Sequence, residues 1–366
     1  MKHITIIDKE YLQWIGDLAL RYRQSQIKAA VKVNGEMLRY YWNLGHEIVN
    51  SAYENKYGTH FYETLSADLK KLLPSVKGLS ASNLRYTKRF YQLYNQVIRS
   101  FQQVAEDFES EIVPQVAEDS YNDKALQLFG ELFQLPWGHH QLIIDKFSNA
   151  PEAALFYVRK SVKEGWSRAV LLNFIDTNLY EREGKAISNF KATLPDAMSD
   201  LAQEITKDPY NFAFAEITAP YNEALLKKAM LSNITDFLIE LGSGFAYVGK
   251  EYRLQIGETE NFIDLLFYHL RLRCYVVIEV KMDKFTPGDI GQLSTYVVGC
   301  NHILKRADDN PTIGLLVCKS KDNTLAQYAL EGTTQPIGIS EFELQKLYPQ
   351  NVEGCIPTIE ELERRL

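Results

Sequence analysis

Residues 260–296 read ENFIDLLFYHLRLRCYVVIEVKMDKFTPGDIGQLSTY, and they decide the fold of the second half of the chain. FIDLLFYH and CYVVIEVK are apolar, aromatic and β-branched runs of strand length joined by a short polar connection, which predicts an antiparallel pair. Three charges interrupt them: Asp264, Glu279 and Lys281. Side chains alternate across a strand, so Cys274, Val276, Ile278 and Val280 face one way and Tyr275, Val277, Glu279 and Lys281 the other. The HLRLR connection can then bring Asp264 beside Glu279. Two carboxylates held a few Å apart repel unless a cation lies between them, and hard oxygen ligands with room for water suit Mg²⁺, with Mn²⁺ as the alternative. A lysine amine beside such a pair can hydrogen-bond an attacking water or steady a phosphate. An E-x-K tripeptide alone is common at a solvated strand edge. Flanks as apolar as these make the charges costly without partners, which favours an active site.

Working outward, a helix is expected over 221–241, ending at Gly242. Short β-rich runs FAYVG and YRLQI precede the quoted stretch. A helix near 288–299, a strand TIGLLVC, a helix near 322–330 and a strand PIGI follow it. Antiparallel strands first and helical crossovers later imply a mixed sheet with helices on its faces. Towards the N-terminus the pattern is helical: 8–53, 61–99 with a break at LLPSVKGLS, 124–148, 151–164 with Gly165 as C-cap, and 167–180. The segment 100–123 holds seven acidic residues and no Lys or Arg, and contains QVAED twice; it is expected to be a solvated connector or an extended helix end.

The charged residues, at 24%, and the hydrophobic ones, at 46%, are in ordinary balance for a folded protein of 366 residues. A formal net charge of −7 means that nucleic-acid binding has to rest on local patches. The N-terminus has no signal-peptide pattern and no window is apolar enough to span a bilayer, so no membrane association is expected. Cys274, Cys300, Cys318 and Cys355 lie far apart with no C-x-x-C pair, which argues against a zinc site or a disulfide framework and points to a reducing cytoplasm. His139 and His140 diverge around a helix and suit packing or capping better than metal binding.

Asp264…Glu279-Val280-Lys281 resembles the core motif of the PD-(D/E)XK nuclease superfamily, and the order of elements around it is similar to that superfamily's αβββαβ core. Gln292 and Tyr296, four apart on the following helix, resemble the Q-x-x-x-Y helix motif of RecB-type enzymes, which lies beside the active site and DNA. Glu240, in IELGSGF, resembles the superfamily's helix glutamate that reaches toward the metal; a helix-end carboxylate with no such role is an equal alternative. LPWGHHQLIIDK, EGWSRAVLLNFI, ELGSGFAYVGKEYRL, FIDLLFYHLRLRCYVVIEVK and PTIGLLVCK together resemble the YhcG-type bacterial nuclease family, which pairs a helical N-terminal domain with a C-terminal nuclease domain. Ile263 stands where the motif's name has Pro, a departure that leaves the acidic ligand in place.

The resemblance implies an α+β protein: an all-helical N-terminal domain (1–181), a linker (182–207) and a restriction-endonuclease-like mixed-sheet domain (208–366). It implies a Mg²⁺-dependent nuclease acting on DNA. Asp264 and Glu279 would bind metal with Glu240 as an extra ligand, Lys281 would position water or phosphate, and Gln292 and Tyr296 would support the site. The alternatives are a non-catalytic DNA-binding or assembly protein on the same fold, and a nuclease acting on RNA or branched structures. In the N-terminal half, SASNLRYTKRFYQLYNQVIR places Arg85, Arg89, Gln92, Gln96 and Arg99 in a stripe without carboxylates, with Lys88 close by, beside an apolar face of Leu84, Tyr91, Tyr94 and Ile98. That stripe, in a helix-turn-helix-like unit, is expected either to contact DNA or to dock on the acidic 100–123 segment. Apolar helical faces there are expected to seat a second copy of the chain or another protein partner.

Overall fold

The structure is a computed structural model, and it describes residues 9–51, 53–109, 127–216 and 222–344. The chain divides after Leu172 into two compact units.

In the first unit the helical periodicity is realised as α1 (Lys9–Asn50), α2 (Tyr53–Tyr57), α3 (Phe61–Leu72), α4 (Ala81–Glu109), α5 (Trp137–Phe147), α6 (Pro151–Glu164) and α7 (Arg168–Asp176), the last running across the division. Leu84, Tyr91, Tyr94 and Ile98, the expected apolar face of α4, are all buried. Trp42 of α1 packs edge-on against Phe90, Tyr91 and Phe129. Ser80 caps α4, its Oγ accepting the Asn83 N–H at 3.2 Å. Gly165 ends α6 in the left-handed region at φ 64°, where a side chain would be strained. The acidic segment continues α4 as far as Glu109; its remainder, 110–123, lies outside the described residues.

The second unit opens with α8 (Leu179–Arg182), β1 (Ile187–Ser188), α9 (Phe190–Thr193), α10 (Asp196–Glu204) and β2 (Tyr210–Asn211). This corrects the expected linker at 182–207. β1 pairs with the last strand, and Phe190, Leu194, Met198 and Ala202 are buried in the unit's core. Elements of two, four and nine residues are too short for periodicity to reveal. Next come α11 (Glu223–Ser232), α12 (Ile234–Leu241), β3 (Phe245–Ile256), β4 (Thr259–His269), β5 (Cys274–Lys284), α13 (Pro287–Ile303), β6 (Ile313–Ser320), α14 (Asn323–Glu331) and β7 (Ile337–Glu343). The helix expected as continuous over 221–241 is therefore two. Asn233 leaves helical geometry at φ −111° and ψ 43°, and its side chain donates to Ala229 O at 3.1 Å.

The sheet order is β1-β7-β6-β5-β4-β3, with β2 also on β7. β3, β4 and β5 are antiparallel neighbours, while β5, β6 and β7 run parallel through the crossovers α13 and α14. This is the mixed sheet that the sequence implied, and the protein is α+β. The alternation in β5 holds. Val276, Ile278 and Val280 pack with Leu226, Met230, Phe237 and Leu241 of α11 and α12. Val277 joins Ile290, Leu293 and Val297 of α13 on the other face. Gly299 lets α13 lie close on β3, since a Cβ there would come within 2.5 Å of Leu254 Cδ2. Among the described residues, no helix is long and apolar enough to cross a membrane.

Candidate active site

β4 and β5 pair from His269 opposite Cys274 to Leu265 opposite Ile278. The next rung would set Asp264 opposite Glu279, and there side chains replace the backbone ladder. The Asp264 N–H donates to Glu279 Oε1 at 3.3 Å, and the Val280 N–H donates to Asp264 Oδ2 at 3.2 Å. Beyond this rung β4 pairs only with β3 and β5 only with β6. The strands part at the two carboxylates.

Glu279 is only 2% exposed. Burial first, and then the Asp264 charge, push its carboxyl up to about 8. Lys281 Nζ lies 3.7 Å from Glu279 Oε2 and donates to Gln292 Oε1 at 3.2 Å. Gln292 in turn donates through Nε2 to the Tyr296 hydroxyl at 2.9 Å. The start of α13 is fixed by Pro287 and by a capping box between Thr286 and Asp289, which holds the Gln292–Tyr296 face against the end of β5. The structure thus brings together five expected site residues: Asp264, Glu279, Lys281, Gln292 and Tyr296.

Glu240 does not join them, which corrects the expected third metal ligand. It is buried at the end of α12, where both carboxylate oxygens meet the Arg182 guanidinium and Oε1 also accepts the Asn211 N–H at 2.8 Å. A carboxylate so fully engaged is a structural clamp.

The basic stripe on α4 also differs from expectation. Arg85 donates to Glu63 at 2.6 Å, Lys88 to Glu54 at 2.5 Å, and Arg89 to Asp145 at 2.8 Å and to Ile144 O at 3.0 Å. Gln92 is exposed beside them. The charges lacking local carboxylates on α4 find them on α2, α3 and α5, so Arg85, Lys88 and Arg89 are all ion-paired. His140 is fully buried between the Tyr94 hydroxyl and Leu132 O, a packing role as expected.

One residue of the cluster was not anticipated. Lys227 on α11 ion-pairs with Asp264 Oδ1 and donates to Glu223 Oε1 at 2.6 Å. Burial disfavours its charge, but the hydrogen bonds to Asp264 and Glu223 outweigh this and raise its pKa. In the sequence NEALLKKAML it reads as one of two lysines on a solvated helix face. Its only local signal is the Glu223–Lys227 spacing of four.

Among the described residues, no group of three or more His, Cys, Asp or Glu side chains converges as a metal cage. Two carboxylates do converge, the deeply buried Glu279 and Asp264, which carries the Lys227 ammonium. A divalent cation with most of its shell filled by water or phosphate oxygens fits that donor set.

Residues 203–357 match the family described as the YhcG PDDEXK nuclease domain, and residues 17–182 match the DUF1016 N-terminal domain. The chain is 31% identical over 324 residues to the Escherichia coli (strain K12) protein named "Putative nuclease YhcG", covering 86% of this chain and 84% of that one. Among solved structures, a repair endonuclease from Pyrococcus abyssi aligns at 20% identity over 35% of this chain and 50% of its own, with a TM-score of 0.23. An EndoMS–dsDNA2 complex aligns at 21% identity over 34% of this chain and 46% of its own, with a TM-score of 0.24.

Proposed function

The chain belongs to the YhcG family of PD-(D/E)XK nucleases, and from that premise we propose that it hydrolyses phosphodiester bonds in DNA at the fork between β4 and β5. The observation that carries this is the Asp264–Glu279 rung, where two carboxylates replace a backbone pair and where burial, with the Asp264 charge second, pushes Glu279 up to about 8.

Asp264 and Glu279 would hold Mg²⁺ or Mn²⁺, which supplies charge neutralisation at the scissile phosphate and an acidified water. Lys281 keeps one ammonium hydrogen on Gln292 and has others to donate. It is placed to orient the attacking water or to hold a phosphate oxygen as charge develops there. Gln292, itself bonded to Tyr296, holds Lys281 through one of its ammonium hydrogens. The buried Val277 and the apolar core behind the rung exclude water from one side of the site, so charges act there more strongly than in bulk solvent. The likeness of Gln292 and Tyr296 to the RecB-type helix motif supports DNA as the substrate.

The test is cleavage of plasmid, linear, single-stranded and branched DNA and of RNA, with Mg²⁺ or Mn²⁺, by the wild-type protein and Asp264→Asn. Cleavage of a DNA substrate that the variant loses is expected. Cleavage confined to RNA would move the substrate class, and equal inertness of both proteins on every substrate would leave a DNA-binding or assembly role.

A further inference from the structure

We propose that Lys227 is a built-in counter-cation for Asp264, which holds the carboxylate in place ahead of the metal and competes with the metal for the same oxygen. The inference rests on the metal-dependent reading above and concerns how the chain loads its site.

Four observations support it. The Lys227 ammonium sits on Asp264 Oδ1, while Oδ2 is committed to the Val280 N–H, so the oxygen a cation could take is the one the lysine covers. Lys227 is largely sheltered, with its side chain 19% exposed, so its charge acts on Asp264 with little screening. It has a second partner, Glu223, one turn back on the same helix, and a side chain released from Asp264 keeps a salt bridge there. The helix that carries it is fixed by the Asn222 cap, whose side chain accepts the Leu225 N–H at 2.9 Å, and by buried Leu226 and Met230. Only the lysine stem has to move. Glu279 and Lys281 face the same place from β5, and Glu279 is the more deeply buried carboxylate. A cation arriving at the fork therefore meets two carboxylates and two ammonium groups, and the ammonium in contact with Asp264 is the one it must displace.

Lys227 is thus a positioning residue. It acts through Asp264 and sets the metal concentration at which the site fills. A purely structural salt bridge would behave in the opposite way, since its loss would loosen Asp264 and weaken metal binding.

The experiment is calorimetric titration of Mn²⁺ into the full-length protein without substrate, comparing the wild type with Lys227→Met, Lys227→Arg and Lys228→Met. Lys228 is the exposed neighbour on α11 and controls for loss of one positive charge. Lys227→Met should bind Mn²⁺ about tenfold more tightly than the wild type, and Lys228→Met within about twofold of it, because the removed repulsion is local. Lys227→Arg keeps the cation and can grip a carboxylate with two donors, so it should bind Mn²⁺ more weakly than the wild type. The arginine variant carries the test should the methionine variant not fold. Equal or weaker Mn²⁺ binding by Lys227→Met, or tighter binding by Lys227→Arg, overturns the inference and leaves the nuclease reading standing. No Mn²⁺ binding by any of the four proteins overturns both.

Discussion

Asp264 and Glu279 face each other across the first rung that β4 and β5 do not make with their backbones. Each carboxylate accepts a backbone N–H from the opposite strand, Glu279 from Asp264 and Asp264 from Val280. The geometry that fixes the two acids is thus the same geometry that ends the ladder.

Loss of function and gain of stability should therefore coincide at Glu279. The folded protein keeps the Glu279 proton up to about 8, against an ordinary value of 4.5. Between those limits the folded state binds more protons than the unfolded one, so stability falls as pH rises through that window and levels off above it. Glu279→Gln removes the slope. In EDTA it should be more stable than the wild type at pH 8.5, by up to about 5 kcal/mol, and show little advantage at pH 5. The same variant, like Asp264→Asn, should lose about 10²-fold or more in cleavage rate. Differential scanning calorimetry against pH and a plasmid-nicking assay check the two halves. A variant no more stable at high pH would show that Glu279 is not held under electrostatic strain.

The paired stripe on α4 leads to a negative expectation. Arg85 and Arg89 already meet Glu63 and Asp145. Changing both to Ala should leave the dependence of DNA affinity on salt nearly intact, because each true phosphate contact adds about 0.9 to the slope of log K against log salt. Fluorescence anisotropy over a salt series measures this. A slope reduced by about 1.8 would return both residues to the DNA interface. Stability should change by less than about 1 kcal/mol per residue, since these are solvent-facing pairs.

The sheet and most of the site were legible because their signals are local. Val276, Ile278 and Val280 against Val277 is a period-two pattern, Glu279-Val280-Lys281 is a tripeptide, and Gln292 and Tyr296 are one helical turn apart. A hairpin connection limits where Asp264 can go, so its meeting with Glu279 followed as well. What escaped involves partners distant in sequence. Lys227 reaches Asp264 from another element, Arg182 meets Glu240 after a separation of 58 residues, and the α4 cations find acids on three other helices. Charge patterning on a single helix cannot show which charges are already satisfied. The break at Asn233 was hidden because apolar spacing continues across it, and only the residue's capping chemistry marks the end of α11.

His140 offers a pH test confined to the first unit. Burial lowers its pKa to about 4, against 6.5 in an ordinary setting, and the neutral ring suits its place between the Tyr94 hydroxyl and Leu132 O. The unfolded chain takes up the proton first as pH falls, so stability is complete above 6.5 and is lost progressively down to about 4. The loss should reach about 2 kcal/mol by pH 5. All four Trp residues, at 14, 42, 137 and 166, lie in the first unit, so their fluorescence in urea reports on that unit alone. His140→Gln should start less stable at pH 7.5 and lose little further by pH 5. An equal loss in variant and wild type would remove His140 as the source.

The Arg182–Glu240 pair separates a clamp from a ligand. Both groups are almost completely buried, with side chains 3% and 4% exposed, and Glu240 also accepts the Asn211 N–H in β2. Removing one charge strands the other in an apolar interior, which costs about 3–5 kcal/mol. Arg182→Met should therefore destabilise the second unit strongly. The double variant Arg182→Met/Glu240→Met should recover part of that loss, because no unpaired charge is left behind. Glu240→Gln keeps an acceptor for Asn211 but leaves Arg182 without its counter-charge. It should lower the melting temperature while leaving Mn²⁺ affinity within about twofold, a change worth only about 0.4 kcal/mol. A metal ligand would give the reverse pattern, with Mn²⁺ binding weakened by an order of magnitude or more and stability without metal unchanged or improved. Calorimetric titration and thermal unfolding of these variants, with Glu240→Met to close the double-mutant cycle, distinguish the two roles, because only a clamp couples Glu240 to Arg182 in stability.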